Sequence, residues 1–71
     1  MNNPVLGFIE DHAGEDICVY YEPWSVLEGI RITMRRNTAL VSRFLSYFDM
    51  DRMNEAGFRE LLDSMYNEFK F

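Results

Sequence analysis

The chain has 71 residues, one cysteine and a formal net charge of −5, which leaves room for one domain at most and excludes an intramolecular disulfide. The negative charge argues against nonspecific nucleic-acid binding by the whole surface, and no apolar run approaches the roughly 18–20 residues of a membrane span. The N-terminal segment lacks the basic start and the long apolar stretch of a signal peptide. We therefore expect a single cytoplasmic domain over residues 1–71.

Large apolar side chains are abundant for so short a chain. It contains six Phe, five Met, four Tyr and one Trp, and each buried aromatic side chain removes roughly 150–250 Å² of surface from water. This supply exceeds the needs of one small core, so it favours a homodimer or a partner-binding surface.

The first predicted element is a β-hairpin. Two short runs rich in β-branched and aromatic residues, 5–9 and 17–21, flank the polar stretch 10–16, and runs of this kind favour strands. Gly14 can take the positive φ that ends a turn, and Asp11 can bond the turn backbone. The acidic residues of this stretch are therefore expected on a hairpin turn.

A third strand is predicted over residues 30–35, where apolar and polar side chains alternate strictly. A period of two is typical of a half-buried strand. Ile30, Ile32 and Met34 would then face the core, and the intervening side chains would face solvent.

The segment before this strand fits two structures. Pro23 and Gly29 could bracket a short helical turn over 24–28. Alternatively, the strand could begin earlier, with Trp24 and Val26 on its apolar face and Gly29 as a bulge. We favour the longer strand.

The spacing of apolar residues then changes to that of amphipathic helices. One stripe predicts a helix capped by Asn37 or Thr38 and consists of Leu40, Val41, Phe44, Leu45 and Phe48. A second stripe predicts a helix that begins near Asp51 or Asn54 and consists of Phe58, Leu61, Leu62, Met65 and Phe69. The sequence therefore predicts an α+β fold, in which a three-stranded antiparallel sheet is followed by two helices packed on one face (β-β-β-α-α). The expected core residues of the helices are Phe44, Leu45, Leu61 and Leu62.

Groups that could carry catalysis are scarce. His12 is the only histidine and lies in the predicted turn, whereas nucleophilic catalysis needs a base within hydrogen-bond reach and a third group to orient it. Cys18 is best explained as a small apolar side chain that fills a gap. Neither of the glycine-rich phosphate-binding patterns, G-x-x-x-x-G-K and G-x-G-x-x-G, occurs. We predict no enzyme, no catalytic residue and no cofactor.

One turn carries a cluster of groups that can ligate metals. It contains Asp11, His12, Glu15 and Asp16. Neighbouring residues in a turn rarely converge on one point, and solvent-exposed turns favour polar residues in any case. The sequence predicts no metal here.

Residues 48–61 resemble an EF-hand loop between two helices. The first, third and twelfth places of the loop are Asp49, Asp51 and Glu60. The resemblance implies a calcium site. The fifth place is Met53, which offers no oxygen ligand, and the sixth is Asn54 in place of glycine. A degenerate, calcium-binding EF-hand is thus one function hypothesis, and the plain alternative is a helix–turn–helix corner without a metal.

Charged residues are segregated along the chain. Residues 1–29 contain six acids and neither Lys nor Arg, whereas residues 30–43 contain no acid and four arginines. These are Arg31, Arg35, Arg36 and Arg43. One hypothesis is pairing between strands, with Asp16 near Arg31 and with Glu22 or Glu28 met by other cationic residues. Each such pair would contribute about 0.2–1 kcal/mol. The other is a surface patch for phosphates or an acidic partner, although no aromatic platform stands between these arginines.

These observations predict a non-catalytic protein-binding module, which could be an accessory subunit, an adaptor or an inhibitor of the kind carried by phages and mobile elements. The expected recognition surface is the acidic hairpin with three aromatic anchors: Glu10, Asp11, Glu15, Asp16, Tyr20, Trp24 and Tyr47. The alternative is an RNA- or DNA-contacting module that uses the arginines at 31–43. No membrane is expected among the partners.

Overall fold

The computed structural model describes residues 3–69, which adopt the predicted α+β class. The elements in chain order are α1 (Pro4–Asp11), β1 (Ile17–Trp24), a 3-10 turn (Ser25–Leu27), β2 (Gly29–Arg36), β3 (Ala39–Ser46), α2 (Tyr47–Arg52) and α3 (Glu55–Asn67). The strands form one antiparallel sheet in the order β1-β2-β3. The prediction of a three-stranded antiparallel sheet followed by two helices is confirmed, but two chain segments were assigned to the wrong elements.

Residues 5–9 belong to α1, so the predicted first strand and its hairpin are wrong. The side chain of Asn3 caps this helix by accepting a hydrogen bond from the Val5 N–H at 2.9 Å, and a proline occupies the first helical position, where an N–H is not needed. Phe8 is turned inward and is completely buried. So short an apolar run satisfies both the helical and the strand period, and the capping residues favour the helix.

Residues 40–46 belong to β3, so the helix predicted over 40–48 is also wrong for most of its length. Asn37 does not cap a helix but takes a left-handed φ of 55° in a tight turn, after which β3 pairs with β2. This pairing satisfies the backbone groups on the second edge of β2. The chain becomes helical only after Ser46, whose hydroxyl caps α2 by accepting from the Asp49 N–H at 3.1 Å.

The connection between β1 and β2 follows the first predicted alternative, the short helical turn, and the favoured longer strand is wrong. β2 begins only at Gly29, and a 3-10 turn at Ser25–Leu27 separates it from the end of β1 at Trp24. Glu28 ends the turn with a left-handed φ of 53°. Gly29 pairs with Trp24 on one side and with Ser46 on the other, so it is a regular strand residue and not a bulge.

The core lies between one face of the sheet and the helices α1 and α3. Its buried residues are Phe8, Ile32, Met34, Leu45, Leu62, Met65 and Phe69. Leu45 and Leu62 are buried as predicted, but Leu61 is only partly buried and Phe44 is 42% exposed. Phe44 departs from the prediction because successive side chains of a strand point to opposite faces. The start of α3 is confirmed, since the side chain of Asn54 caps this helix.

Candidate partner-binding surface

The sheet has one face that the core does not use, and we call it the open face. The helices pack on the side of Ile32, Met34 and Leu45, so the alternating residues of the three strands point away from them. The strand register places on the open face Cys18, Tyr20, Glu22 and Trp24 of β1, Arg31, Thr33 and Arg35 of β2, and Leu40, Ser42 and Phe44 of β3.

Large apolar side chains flank the polar centre of the open face. The exposed fractions are 45% for Tyr20, 37% for Trp24, 61% for Leu40 and 42% for Phe44. In the middle strand Thr33 is only 8% exposed, and its hydroxyl lies 3.1 Å from that of Ser42 in a cross-strand hydrogen bond. The open face thus offers apolar contact area on both sides of polar residues that are already hydrogen-bonded to each other.

Trp24 is held in place by two charged neighbours. Its indole N–H donates to the Glu22 carboxylate at 2.9 Å, and the same carboxylate accepts from the Arg31 Nη2 at 3.1 and 3.3 Å. The Arg31 guanidinium carbon lies 5.0 Å from the centre of the indole ring. The hydrogen bond from Trp24 and the charge of Arg31 lower the pKa of Glu22. The cluster therefore fixes the indole orientation before any partner arrives.

Four exposed apolar residues continue the surface at one end of the sheet, which we call the apolar end. They are Val26, Leu27, Tyr47 and Phe48, with exposed fractions of 94%, 52%, 46% and 66%. The fold brings the two short segments together, because the Tyr47 N–H donates to the Glu28 carbonyl at 2.8 Å. Trp24 lies in the last row of the sheet beside Gly29, so it joins the open face to the apolar end.

The sequence predicted an acidic hairpin beside the aromatic anchors, and the structure separates the two. Glu10 and Asp11 lie at the end of α1, and Glu15 and Asp16 lie in the loop before β1. Trp24 stands at the opposite end of β1, about 23 Å from residue 17 at roughly 3.3 Å per strand residue. Tyr20 and Trp24 share the open face and Tyr47 follows β3 at the same end of the sheet as Trp24, whereas the four acids lie toward the other end of β1.

Two of these acids are engaged in interactions within the domain. Glu15 accepts from the Tyr66 hydroxyl, its other oxygen lies 2.8 Å from the His12 Nδ1, and the Arg36 guanidinium is 3.9 Å away. The hydrogen bond from Tyr66 and that from His12 lower the pKa of Glu15, and the Tyr66 pKa is raised in turn. Asp11 accepts from Arg59 at 2.7 Å. These carboxylates therefore join α1 and its loop to α3, which a solvated hairpin turn would not do.

The four arginines do not form one patch, because the strand period distributes them to both faces. Arg31 and Arg35 lie on the open face, while Arg36 and Arg43 lie on the core face. The predicted pairing of Asp16 with Arg31 is wrong, since Arg31 stands opposite Glu22 and bonds to it. Arg43 forms an ion pair with Glu68, and Arg35 donates to the Cys18 sulfur at 3.7 Å.

The EF-hand resemblance does not extend to the structure. A calcium loop would run through residues 49–60, yet residues 49–52 belong to α2 and residues 55–60 to α3. Within residues 3–69 no three His, Cys, Asp or Glu side chains are grouped to hold a metal ion. Over the same range, the helices are too short or too polar to cross a membrane.

Several surface residues were missed from the sequence because they were assigned to a helix or to a buried strand face. They are Val26, Leu27, Leu40, Phe44 and Phe48. The overlooked signal is the Asn37–Thr38 pair directly after the alternating run 30–35, because asparagine favours tight turns and tolerates a positive φ. A β-strand over 39–46 would have exposed Leu40 and Phe44 on one face, beside the arginines of β2.

The geometry thus brings together aromatic side chains, a preset indole and an exposed apolar end. On this surface Cys18 accepts a hydrogen bond from Arg35, and the hydroxyls of Thr33 and Ser42 bond to each other. Comparison with protein-family models, with curated proteins and with solved structures found no match.

Proposed function

We propose that this chain is a small, non-catalytic protein-binding module whose partner binds across the open face and the apolar end. The observation that carries the proposal is the group of exposed apolar side chains at one end of the sheet. Trp24 and Leu27 line one concave surface there, and the Tyr47 N–H bonds to the carbonyl of the neighbouring Glu28. Monomeric soluble proteins rarely expose large contiguous apolar patches without a binding role. An accessory subunit, an adaptor or an inhibitor would each use such a surface.

Trp24 is the proposed central anchor. Trp, Tyr and Arg dominate interface hot spots, and Trp24 stands between Tyr20 on the open face and Tyr47 at the apolar end. Its contacts with Glu22 and Arg31 hold the side chain in one orientation. Less side-chain entropy is then lost on binding, which favours affinity.

The acids at the far end of the molecule would act in a different way. Glu10 and Asp16 are exposed and contribute to a net charge of −5. Charge at this distance steers the encounter and so raises the association rate of a basic partner. We therefore expect the partner to combine a basic surface with an apolar patch.

The second candidate is a module that contacts single-stranded RNA or DNA. Tyr20, Trp24 and Phe44 lie on the same face as Arg31 and Arg35, and sheet-face aromatics with arginines can stack bases and bind phosphates. Only two arginines point to this face, however, and Arg31 is already paired with Glu22. The sheet face therefore favours a protein partner.

The test is capture of the partner from an extract of the source organism, with and without nuclease, followed by affinity measurements with the purified partner. Leu27→Asp and Trp24→Ala should weaken binding about 30-fold each, which corresponds to the roughly 2 kcal/mol of a hot spot. Leu6→Asp is the matched control, because Leu6 on α1 is 60% exposed and Leu27 is 52% exposed.

Further variants separate the proposed mechanisms. Glu10→Lys with Asp16→Lys should lower the association rate and leave the dissociation rate unchanged. Capture that is lost after nuclease treatment, with an affinity that falls steeply with salt, would favour the nucleic-acid alternative. Equal losses in Leu27→Asp and Leu6→Asp would place the binding surface elsewhere.

A further inference from the structure

The outer edge of β3 directs backbone groups away from the sheet, and one hydrogen bond shows which residues these groups belong to. The Tyr47 N–H donates to the Glu28 carbonyl at 2.8 Å, and this pair continues the β2–β3 register one step beyond Gly29 and Ser46. Hydrogen-bonded and non-bonded pairs alternate along an antiparallel ladder. The odd-numbered residues of β3 therefore bond to β2, and the even-numbered residues direct their N–H and C=O groups outward.

Two side-chain contacts agree with this assignment. The hydroxyls of Thr33 and Ser42 lie 3.1 Å apart, as expected for a non-bonded pair, in which side chains are closer. The Arg43 Nη1 donates to the Ser42 carbonyl at 2.7 Å, which requires that carbonyl to face away from β2. The outward groups along the middle of β3 belong to Leu40, Ser42 and Phe44.

The outer edge of β1, on the other side of the sheet, differs from the outer edge of β3. The same alternation, carried across β2, directs the odd-numbered residues of β1 outward. Pro23 is one of them and has no N–H to donate, as is typical of a strand edge that is not meant to pair. β3 has no proline, and its single charged residue is Arg43.

We propose that two copies of this chain pair along β3 in antiparallel fashion, about a twofold axis at Ser42, to form a continuous six-stranded sheet. Ser42 would stand opposite the partner's Ser42, and Leu40 opposite the partner's Phe44. These are the outward residues of β3, so each such pair exchanges backbone hydrogen bonds. The proposal goes beyond the protein-binding function proposed above, because it uses the β3 edge of the open face, whereas that function is carried by Trp24, Leu27 and Tyr47.

The side chains of β3 favour pairing about Ser42, and they favour a second copy of the chain as the partner. Leu40 and Phe44 are 61% and 42% exposed, and the twofold axis at Ser42 brings each against the other on the open face. An axis at Arg43 would instead oppose two guanidinium groups, and like charges directly opposite are destabilising. A twofold interface is closed, and the outer edges of the six-stranded sheet would be the β1 strands with Pro23, so growth would stop at the dimer.

Arg43 occupies the edge when the chain is alone. Its guanidinium donates to the Ser42 carbonyl and pairs with Glu68 of the same chain. Pairing with a second copy needs that carbonyl as an acceptor, so Arg43 must release it. Arg43 thus opposes dimerisation, and its removal should strengthen the dimer.

Sedimentation across the micromolar range tests the proposal. The wild-type chain of 8.5 kDa should sediment as a dimer. Leu40→Asp should raise the dissociation constant about tenfold or more, because it places a carboxylate against the electron-rich face of an aromatic ring twice in the interface. Leu6→Asp is the matched control, since Leu6 is 60% exposed and Leu40 is 61% exposed. Arg43→Ala should dimerise at lower concentration than the wild type.

Amide hydrogen exchange in the dimer supplies a second measurement that does not depend on any variant. The N–H groups of Leu40, Ser42 and Phe44 should be protected at high protein concentration and exchange freely at low concentration. A monomer at all concentrations for both the wild type and Arg43→Ala would overturn the proposal. A dimer in which these three amides exchange freely would overturn it as well. So would a dimer that Leu6→Asp weakens as much as Leu40→Asp, because the interface would then lie on another face.

Discussion

Gly29 and Gly7 form a matched pair that tests how closely the sheet is packed. At Gly29 a Cβ would lie against the carbonyl oxygen of Leu45 and 2.5 Å from the Cζ of Phe44, whose ring covers this glycine. The Leu45 carbonyl cannot move easily, because Leu45 is in the core and its carbonyl belongs to the β2–β3 ladder. At Gly7 on α1, a Cβ would meet only the Arg59 Nη1 within 4 Å, at 3.8 Å.

The two substitutions should therefore change the free energy of unfolding in opposite directions. Gly29→Ala should destabilise the domain by about 1–3 kcal/mol, the range for overpacking. Gly7→Ala should stabilise it by about 0.5–1 kcal/mol, because glycine is unfavourable inside a helix. For a domain of this size, each kcal/mol moves the Tm by about 4–8 °C.

Urea unfolding followed by circular dichroism measures both changes, and equal m-values confirm that the unfolded states are comparable. The double variant should show the sum of the two effects within about 0.5 kcal/mol, since distant sites are additive. If Gly29→Ala is as stable as the wild type, the close approach of the Leu45 carbonyl to Gly29 is wrong. If Gly7→Ala is destabilised, residues 4–11 are not helical, and the strand predicted there from sequence regains support.

Three further outcomes are expected. Leu62→Ala should cost about 2–5 kcal/mol in urea unfolding, because Leu62 is completely buried, whereas a near-neutral result would contradict the position of α3 on the sheet. The lowered pKa of Glu15, caused first by the Tyr66 hydroxyl and then by His12, stabilises the fold above the ordinary value of 4.5, and this stabilisation is lost as the pH falls through the lowered value. Urea midpoints of the wild type should thus fall more steeply on acidification than those of Glu15→Gln, with Tyr66→Phe in between, and parallel curves would show that Glu15 has no such role. Millimolar calcium should leave the Tm and the helical signal unchanged, because residues 49–60 lie largely in two helices; a saturable rise that disappears in Glu60→Gln would restore the EF-hand hypothesis.

The sequence alone determined the secondary-structure elements that have a long apolar pattern or a clear capping residue. The strict alternation at 30–35 is compatible only with a half-buried strand, and it became β2 with Ile32 and Met34 in the core. The stripe through Leu62 and Met65, with Asn54 as its cap, became α3. In both cases the preference of the backbone and the burial of apolar side chains favour the same structure. The abundance of aromatic residues likewise predicted apolar side chains beyond the needs of the core, and ten large apolar residues among those described are exposed.

Tertiary structure decided the short apolar runs and the arrangement of the surface. Residues 40–45 fit a helical stripe as well as a strand, and the unpaired edge of β2 selects the strand, because backbone groups buried without partners are costly. Residues that are neighbours in sequence then lie apart, since Arg35 is on the open face and Arg36 on the core face. Conversely, Trp24 and Tyr47 lie at the same end of the sheet although β2 and β3 separate them in the chain. Strand pairing and register could not be predicted from the sequence alone. The register determines which side chains share a surface. The composition of the candidate site could therefore be anticipated, but its location depended on the pairing of the strands.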